Sequence, residues 1–307
     1  MDKLAVIVVT YNGAQYLQKC FQTLRSVFKQ SYLIVIDNAS TDGTREILSK
    51  ADLDYLILSD ENLGFGKANN IGLQWAYTKG FQNMMLLNQD TYIPLQDAAA
   101  FLAAADVSFK KGYGVVSPVH TGPDGLSLDF KFADYVSQRN APGLLNLIAK
   151  GVGDQEVQAV KSVNAAAWII SRNCLETVGL FDPVFPHYGE DTDYIKRMRY
   201  HGLKLGVWPY FKIVHDRPQQ EAFTLEKKLA RIQIWALSFL KNLERPLWKQ
   251  YLHLPIHLFA RINKLGKGSL WTYGKTTNGV LELLPKYQLL NRHRRQCKQK
   301  AAFLKHD

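Results

Sequence analysis

Four polar side chains end an apolar run in the stretch MLLNQDTYI, residues 85–93. They are Asn88, Gln89, Asp90 and Thr91. The carboxylate of Asp90 is a hard oxygen ligand of the kind that Mg²⁺ or Mn²⁺ prefers when the ion carries substrate phosphates. His215 ends a later strand pattern and is a candidate nitrogen ligand for the same ion. Each residue alone is explained equally well as an ordinary cap or a hydrogen-bonded histidine.

A second group of acidic residues lies in FPHYGEDTDY, residues 185–194. Glu190, Asp191 and Asp193 stand just before a predicted helix. Acids favour a helix N-terminus through the helix dipole, but one or two would satisfy that preference. A carboxylate in a cleft can also serve as the general base that takes a proton from a hydroxyl during group transfer.

The elements that must position these groups alternate between strand and helix. Buried strands are predicted at 4–10, 32–37, 55–58 and 83–88, with helices at about 13–27, from a Ser/Thr/Asp cluster in 40–48, and at 65–80. This alternation indicates an α/β fold whose mostly parallel sheet is flanked by helices. Ligands of such sheets bind beyond the carboxyl ends of the strands, where all four predicted strands end in polar residues.

The pattern is looser between residues 120 and 160, which we interpret as an inserted region over the sheet. A strand is predicted at 162–171, a short helix at 172–179, and a loop entering a helix at 187–202. Two strand-like pieces, KLGVW and FKIVH, then lead to His215.

Charge divides the chain into two parts. Residues 1–219 carry 21 Lys/Arg against 22 Asp/Glu, whereas residues 220–307 carry 17 against 5. We therefore predict a catalytic domain at 1–218 and a basic helical region at 219–307 with an anionic partner. The three cysteines are isolated, which favours a reducing, cytoplasmic setting. The amino terminus has no signal-peptide pattern, and no apolar run is long enough to cross a bilayer.

The basic region contains an apolar stripe at helical spacing. It consists of Leu225, Leu229, Ile232, Ala236, Leu240 and Leu243. Such a helix can lie on a membrane surface that carries anionic lipid, or it can pack on the catalytic domain. Further along, Pro255 is expected to kink or end a helix.

Six segments together resemble glycosyltransferase family 2, in particular its rhamnosyltransferase-like branch. They are VVTYNG, VIDNASTDGT, NLGFGKANNIG, LLNQDT, GLFDPVFPHYGEDTDYIKRMRYHG and VH. The resemblance covers roughly residues 3–217 and implies a GT-A fold and an inverting, nucleotide-sugar-dependent enzyme.

The resemblance also implies roles for individual residues. Asp90 would hold the divalent metal, Mg²⁺ or Mn²⁺, with His215 as partner, and Asp191, beside Glu190, would be the base. The implied donor-binding residues are Thr10, Tyr11, Asn12, Asp37, Asn38, Asp42, Asn62, Gly64, Asn70, Asn88 and Asp90. Asn88 stands where the family often has the first aspartate of Asp-x-Asp. With one carboxylate fewer, the affinity for the metal would depend more on the bound diphosphate and on His215.

The resemblance implies a UDP- or dTDP-sugar donor and a single displacement. The acceptor would be a hydroxyl of a growing bacterial surface glycan, possibly lipid-linked, with Trp168, His187 and Tyr188 on its side of the site. The basic tail would bring the enzyme to the inner face of the cytoplasmic membrane.

Other functions have weaker support. The stretch GFGKANNIG suggests a nucleotide-binding oxidoreductase, but it lacks the full GxGxxG motif and does not follow the first strand. The basic tail prompts nucleic-acid binding, yet no recognised module accompanies it. A degenerate transferase acting as a membrane-associated interaction partner is also an alternative, against which stand Asp90, Asp191 and His215.

Overall fold

Four parallel strands form the first half of the fold, as the sequence predicts. The computed structural model describes residues 4–151, 156–217, 225–264, 283 and 285–305. Strands β1 to β4 span Leu4–Thr10, Tyr32–Asp37, Tyr55–Leu58 and Asn83–Asn88. Helices α1 to α3 between them span Ala14–Val27, Thr44–Lys50 and Phe65–Thr78. β1 pairs in parallel with β2 and β4, and β2 pairs in parallel with β3.

The central strands are buried on both faces. Ala5 and Ile7 of β1 belong to one core cluster, whereas Val6 and Val8 belong to the other. All four side chains are fully buried, which explains why the strand reads as a continuous apolar run instead of an alternating one.

The second half adds strands of both directions. After β4 come β5 (Thr91–Tyr92), α4 (Ala98–Lys110), β6 (Tyr113–Thr121), α5 (Phe130–Tyr135), α6 (Leu144–Lys150), β7 (Gln158–Ala159), β8 (Ala167–Ser171), α7 (Arg172–Val178), α8 (Glu190–Tyr200) and β9 (Lys204–His215). The sheet order is β3-β2-β1-β4-β8-β6-β9-β5, with β7 also paired to β9. β8 is antiparallel to β4 and β6, while β9 is parallel to β6.

Several predicted boundaries are wrong. The strand expected at 162–171 begins at Ala167, and the two pieces before His215 form one strand with register shifts against β6. Helix α2 begins after Gly43, which offers no side-chain cap. The region expected to be irregular, 120–160, contains the two short helices α5 and α6.

Three further helices are described in the basic region. They are α9 (Leu225–Leu240), α10 (Leu247–Lys264) and α11 (Tyr287–Cys297). Helix α10 continues through Pro255, so the expectation that this proline ends a helix is wrong; the exposed proline removes one backbone hydrogen bond without ending the helix. Within the described segments, no helix is long and apolar enough to cross a membrane.

Helix α9 packs on the rest of the protein. Ile232, Ala236 and Leu240 of the predicted stripe are buried in a cluster that includes Phe185. The side chains of residues 225–229 lie outside the described part, as does the expected boundary between residues 218 and 219. For the described part of the stripe, packing on the protein is therefore the correct alternative.

A buried ion cluster joins these helices to the sheet. Asp182, in the loop after α7, contacts Nζ of Lys241, which follows α9, and lies 2.6 Å from Nδ1 of His293 in α11. Burial alone would raise the pKa of Asp182, but the hydrogen bond with His293 and the charge of Lys241 hold that pKa well below its usual range. The cluster therefore stabilises the attachment of the tail only while Asp182 is ionised.

Replacing Asp182 by alanine is expected to lower the free energy of unfolding by roughly 3–5 kcal/mol, because Lys241 would remain as a buried, unpaired cation. Urea unfolding at neutral pH measures the loss. The control is Glu46→Ala, which breaks the exposed pair between Glu46 and Lys50 and should cost only about 0.3–0.5 kcal/mol. Equal losses in the two variants would contradict the role of the cluster.

Candidate functional site

The carboxyl ends of the parallel strands meet at one edge of the sheet. Strand register places Thr10 opposite Asp37 and Val9 opposite Asn88. The buried carboxylate of Asp37 accepts a hydrogen bond from the Thr10 hydroxyl and pairs with Nε of Arg45 at 2.6 Å. These contacts hold the edge together, and Asp37, expected to bind base and ribose, has no exposed surface of its own.

Short hydrogen bonds shape the loops that leave this edge. Gln89 accepts from the backbone N–H of Tyr11 and donates to its carbonyl, at 2.9 and 3.0 Å. Asn38 donates to the Oδ1 atom of Asn62, which also accepts from the N–H of Gly64. Sequence reasoning did not give Gln89 a role of its own, although it directly precedes Asp90.

Two expected donor residues also serve the loops. Asn12 has a positive φ of 46° and accepts from the N–H of Thr41, while Asp42 accepts from the N–H groups of Thr44 and Ala14. The hydrogen bond from Thr44 lowers the pKa of Asp42, despite its exposed position.

Asp90 and His215 lie together, as the sequence predicts. Antiparallel pairing of β5 with β9 sets Thr91 opposite His215, and Nε2 of His215 is 3.3 Å from Oδ1 of Asp90. On the other side of the imidazole ring, Nδ1 of His215 is 3.8 Å from Oδ2 of Asp129. The guanidinium of Arg217 donates two hydrogen bonds to the carboxylate of Asp129. Asp129 was not predicted, since it lies in the region 120–160, whose loose sequence pattern indicates an insertion; in the structure it is also the N-cap of α5.

The acids at the start of α8 differ in environment. Glu190 is 5% exposed, and its Oε2 atom is buried without a hydrogen-bond partner. Burial and the neighbouring charge of Asp191 raise the pKa of Glu190 to about 7. Burial also raises the pKa of Asp191, against hydrogen bonds from Thr192 that favour ionisation. The third acid, Asp193, forms a buried ion pair with Arg197 within α8 and has a structural role.

Two adjacent cavities open at this edge. A cavity of about 240 Å³ is lined by Val9, Tyr11, Asn38, Asn62, Gly64, Phe65, Asn88, Gln89, Asp90 and His187. A cleft of about 890 Å³ contains Glu190, Asp191 and His215 and shares Tyr11, Asn62, Phe65, Asn88 and His187 with the smaller cavity. The shared residues make the two spaces neighbours, with Asp90 in one and Asp191 in the other.

Basic side chains surround the cleft. They are Lys131, Lys196, Arg217, Arg231 and Arg261, the last two from α9 and α10. The tail also supports the acids directly, because Ile234 of α9 packs on Gly189, the residue that precedes α8 in left-handed conformation. None of these basic residues was singled out from the sequence, because only the folded chain brings them to Asp191.

Two predicted site residues have structural roles instead. The side-chain NH₂ of Asn70 donates to the carbonyl of Phe181, and its side-chain oxygen accepts from the N–H of Phe181. Both polar atoms of the side chain therefore attach α3 to the loop before α8. Trp168 is fully buried and packs with Phe181 and Tyr194, so it belongs to the core and not to an acceptor surface. His187 and Tyr188, by contrast, line the cleft.

Gly64 allows the loop before Glu190 to approach the edge of the sheet where the parallel strands end. It has a φ of 78°, and a Cβ there would lie 2.0 Å from the carbonyl oxygen of Pro186. We expect Gly64→Ala to displace the loop before Glu190 and to weaken nucleotide binding at least tenfold, measured by calorimetry. Gly80→Ala is the matched control, since Gly80 has a similar φ of 83° with no atom within 4 Å of its Cβ position. Equal binding by the two variants would contradict this prediction.

The raised pKa of Glu190 predicts a pH dependence of stability. Between pH 4.5, its ordinary pKa, and about 7, the folded protein retains the proton more strongly than the unfolded chain. This carboxyl therefore makes stability fall as pH rises through that window, by roughly 3 kcal/mol at most.

Urea unfolding at pH 5 and pH 8 measures the effect. Glu190→Gln should remove this part of the decline, whereas Glu46→Gln, at an exposed position, should preserve it. An identical pH dependence in wild type and Glu190→Gln would refute the assignment.

Comparison with known proteins supports the interpretation of the sequence. Residues 5–127 match the sequence model of the family described as Glycosyl transferase family 2. The low-salt glycan biosynthesis hexosyltransferase Agl10 of Haloferax volcanii is 21% identical over 71% of this chain and 68% of its own length. The dTDP-rhamnosyl transferase RfbF of Shigella flexneri is 23% identical over 70% of this chain and 69% of its own. The chain spans only 20% of the teichoic acid poly(glycerol phosphate) polymerase of Staphylococcus epidermidis, to which it is 29% identical over 149 residues.

Solved structures share the fold at low sequence identity. S. aureus TarS 1-349 in complex with UDP is 18% identical, with a TM-score of 0.52 over 96% of this chain and 88% of that one. The mannosyltransferase PcManGT of Pyrobaculum calidifontis, solved with GDP-Man and Mn²⁺, is 18% identical, with a TM-score of 0.57 over 96% and 84%. The fold is thus GT-A, and residues 5–127 are similar to glycosyltransferase family 2, a family of nucleotide-sugar-dependent glycosyltransferases.

Proposed function

We propose that the protein transfers a sugar from a pyrimidine nucleoside diphosphate to a hydroxyl of a growing bacterial surface glycan, with inversion at the anomeric carbon. The observation that carries the proposal is the adjacency of two spaces. The cavity at Asp90 and the cleft at Asp191 share five lining residues, and both lie at the carboxyl edge of the parallel strands. This is where an α/β sheet binds its ligands.

The donor is expected to lie along the loops at the sheet edge. Tyr11 and Asn38 line the smaller cavity, where they would contact the base and ribose, and Asn62 and Gly64 would lie along the nucleotide. Solved relatives contain UDP, UDP-GlcNAc or GDP-Man, and RfbF is named for dTDP-rhamnose. We propose UDP or dTDP as the nucleotide, with rhamnose, galactose or a similar hexose as the sugar.

The site fits a divalent cation whose ligands come partly from the protein and partly from the donor. Oδ1 of Asp90 is buried and has no hydrogen-bond partner, and Nε2 of His215 lies 3.3 Å from it. Over the described residues, no group of three or more His, Cys, Asp or Glu side chains could hold an ion by itself. Asp90 and His215 would therefore hold Mg²⁺ or Mn²⁺ with the diphosphate as a further ligand. Such an ion, when bound, neutralises the charge that develops on the departing diphosphate.

The chain's own residues then prepare the acceptor. Asp191 takes the proton from the acceptor hydroxyl, whose oxygen attacks the anomeric carbon as the bond to the diphosphate breaks. The pKa of Asp191 is raised by burial, which makes its carboxylate a stronger base than an exposed aspartate. Glu190, whose pKa is raised to about 7, is protonated for part of the time at neutral pH and so repels an approaching diphosphate less than an ordinary glutamate would. One displacement gives inversion.

The acceptor would enter through the larger cleft, past His187 and Tyr188. Tyr188 is 74% exposed at the rim, and Arg231 and Arg261 add positive charge from the tail. Positive lining suits an acceptor that carries phosphate, such as a lipid-linked glycan. We therefore propose that the enzyme works at the inner face of the cytoplasmic membrane, and that the tail binds its anionic surface.

Ligand-induced stabilisation tests the donor site. A melting-temperature panel of UDP, dTDP and GDP, with and without Mn²⁺, should give its largest shift with a pyrimidine nucleotide and the metal. Asp90→Ala should lose the metal-dependent part of the shift. Asp97→Ala, which changes the exposed cap of α4 away from both cavities, is the control and should retain it. A shift with GDP or NAD but not with UDP or dTDP would contradict the proposed donor.

Asp191→Asn separates binding from chemistry. Without its base the enzyme should lose about 10²–10⁴-fold in kcat while keeping the nucleotide-induced shift of the wild type. Transfer is measured as release of nucleoside diphosphate that depends on acceptor. Undiminished transfer by Asp191→Asn would assign the base to another residue, with Glu190 as the next candidate.

A further inference from the structure

Helix α10 presents a row of large apolar side chains to solvent. Trp248, Leu252, Ile256 and Phe259 are 58–67% exposed. Their spacing of four, four and three residues puts them on one face of the helix. Large apolar groups gathered in this way differ from the scattered apolar residues of an ordinary surface and are typical of an interaction site.

Among the residues that the structure describes, the buried contacts of α10 lie elsewhere on the helix. α10 attaches to the rest of the tail through a different face, on which Leu247, Leu254 and Leu258 are buried in the cluster with α9. The helix thus has two apolar faces, of which one holds it in place and the other, the exposed row, lies outwards.

The charge beside the exposed row is positive. Lys249 follows Trp248 by one position, and the sequence of α10 contains no Asp or Glu. Nζ of Lys249 lies 5.4 Å from the centre of the Trp248 ring, so a cation and an amphipathic aromatic stand together at one end of the row. Apolar residues flanked by basic groups are the pattern of a helix that lies in the interface of an anionic bilayer.

We propose that the exposed row of α10 is the surface by which this protein docks on an anionic lipid bilayer, with Leu252 and Ile256 inserted among the acyl chains and Lys249 against the headgroups. The inference rests on the proposed function in placing the enzyme at a membrane, and it replaces α9 with α10 as the element that binds lipid. A partner protein with an acidic groove would lack the selectivity for lipid composition that this arrangement implies.

Docking through α10 also orients the catalytic cleft. Arg261 of the same helix lines the cleft, and its guanidinium lies 4.9 Å from the centre of the Trp235 ring in α9. Arg261 lies on the side of α10 opposite the exposed row, so a membrane bound along the row would be separated from the cleft by the width of the helix.

Vesicle flotation with the full chain tests the inference. Vesicles of phosphatidylcholine with 30% phosphatidylglycerol should bind the protein, and pure phosphatidylcholine should bind it at least tenfold less. The double variant Leu252→Glu/Ile256→Glu should lose at least tenfold of the binding to anionic vesicles. The matched control is Leu95→Glu/Leu126→Glu, which changes two leucines of 85% and 88% exposure outside the tail and should bind as wild type does.

Three outcomes would overturn the proposal. They are equal binding to both vesicle types, undiminished binding by the α10 variant, and no vesicle binding together with a dimer that the α10 variant dissociates. The last result would identify the row as a contact between copies of the chain. The nucleotide-induced shift in melting temperature, measured on the same variants, distinguishes this proposal from the proposed function. Vesicle binding without any such shift would contradict the proposed function and support the docking surface.

Discussion

The pairing of β5 with β9 is the constraint on which the site depends. β5 continues directly from the end of β4, and β9 reaches it from the far side of the sheet, so that His215 arrives at Asp90. Without that pairing the acid at the strand end would be an ordinary turn residue. On the opposite side of the imidazole, Nδ1 lies 3.8 Å from Oδ2 of Asp129, which Arg217 holds through two hydrogen bonds.

Much of the fold could be predicted from local pattern. Each of the four parallel strands from Leu4–Thr10 to Asn83–Asn88 is recognisable as a β-rich apolar run followed by polar residues, although the edge strand β3 is partly exposed. The later strands could not be placed, since nothing local indicates that β8 runs antiparallel between β4 and β6. The passage of α10 through Pro255 was missed for a related reason: buried contacts of Leu254 and Leu258 on either side hold the helix together where local propensity would end it.

The site was predictable where residue type alone limits the chemistry. Asp90, His215 and the Glu190–Asp191 pair stand out because few other roles suit acids and histidine at strand ends and in clefts. The sequence could not distinguish ligand-facing residues from those that serve the scaffold, which is why Asn70 and Trp168 were misassigned. It also could not find Gln89 or the tail arginines, whose positions are set by contacts between distant segments.

The central claim is that Asp90 and His215 hold a divalent cation together with the donor diphosphate. Pulsed electron paramagnetic resonance of Mn²⁺ bound with UDP or dTDP tests it most directly, because a coordinated imidazole gives a nitrogen modulation that a carboxylate or phosphate does not. The account predicts this modulation in the wild type and in His187→Gln, and its loss in His215→Gln. Tight binding of Mn²⁺ with no nitrogen signal, or a signal that survives in His215→Gln, would contradict the account.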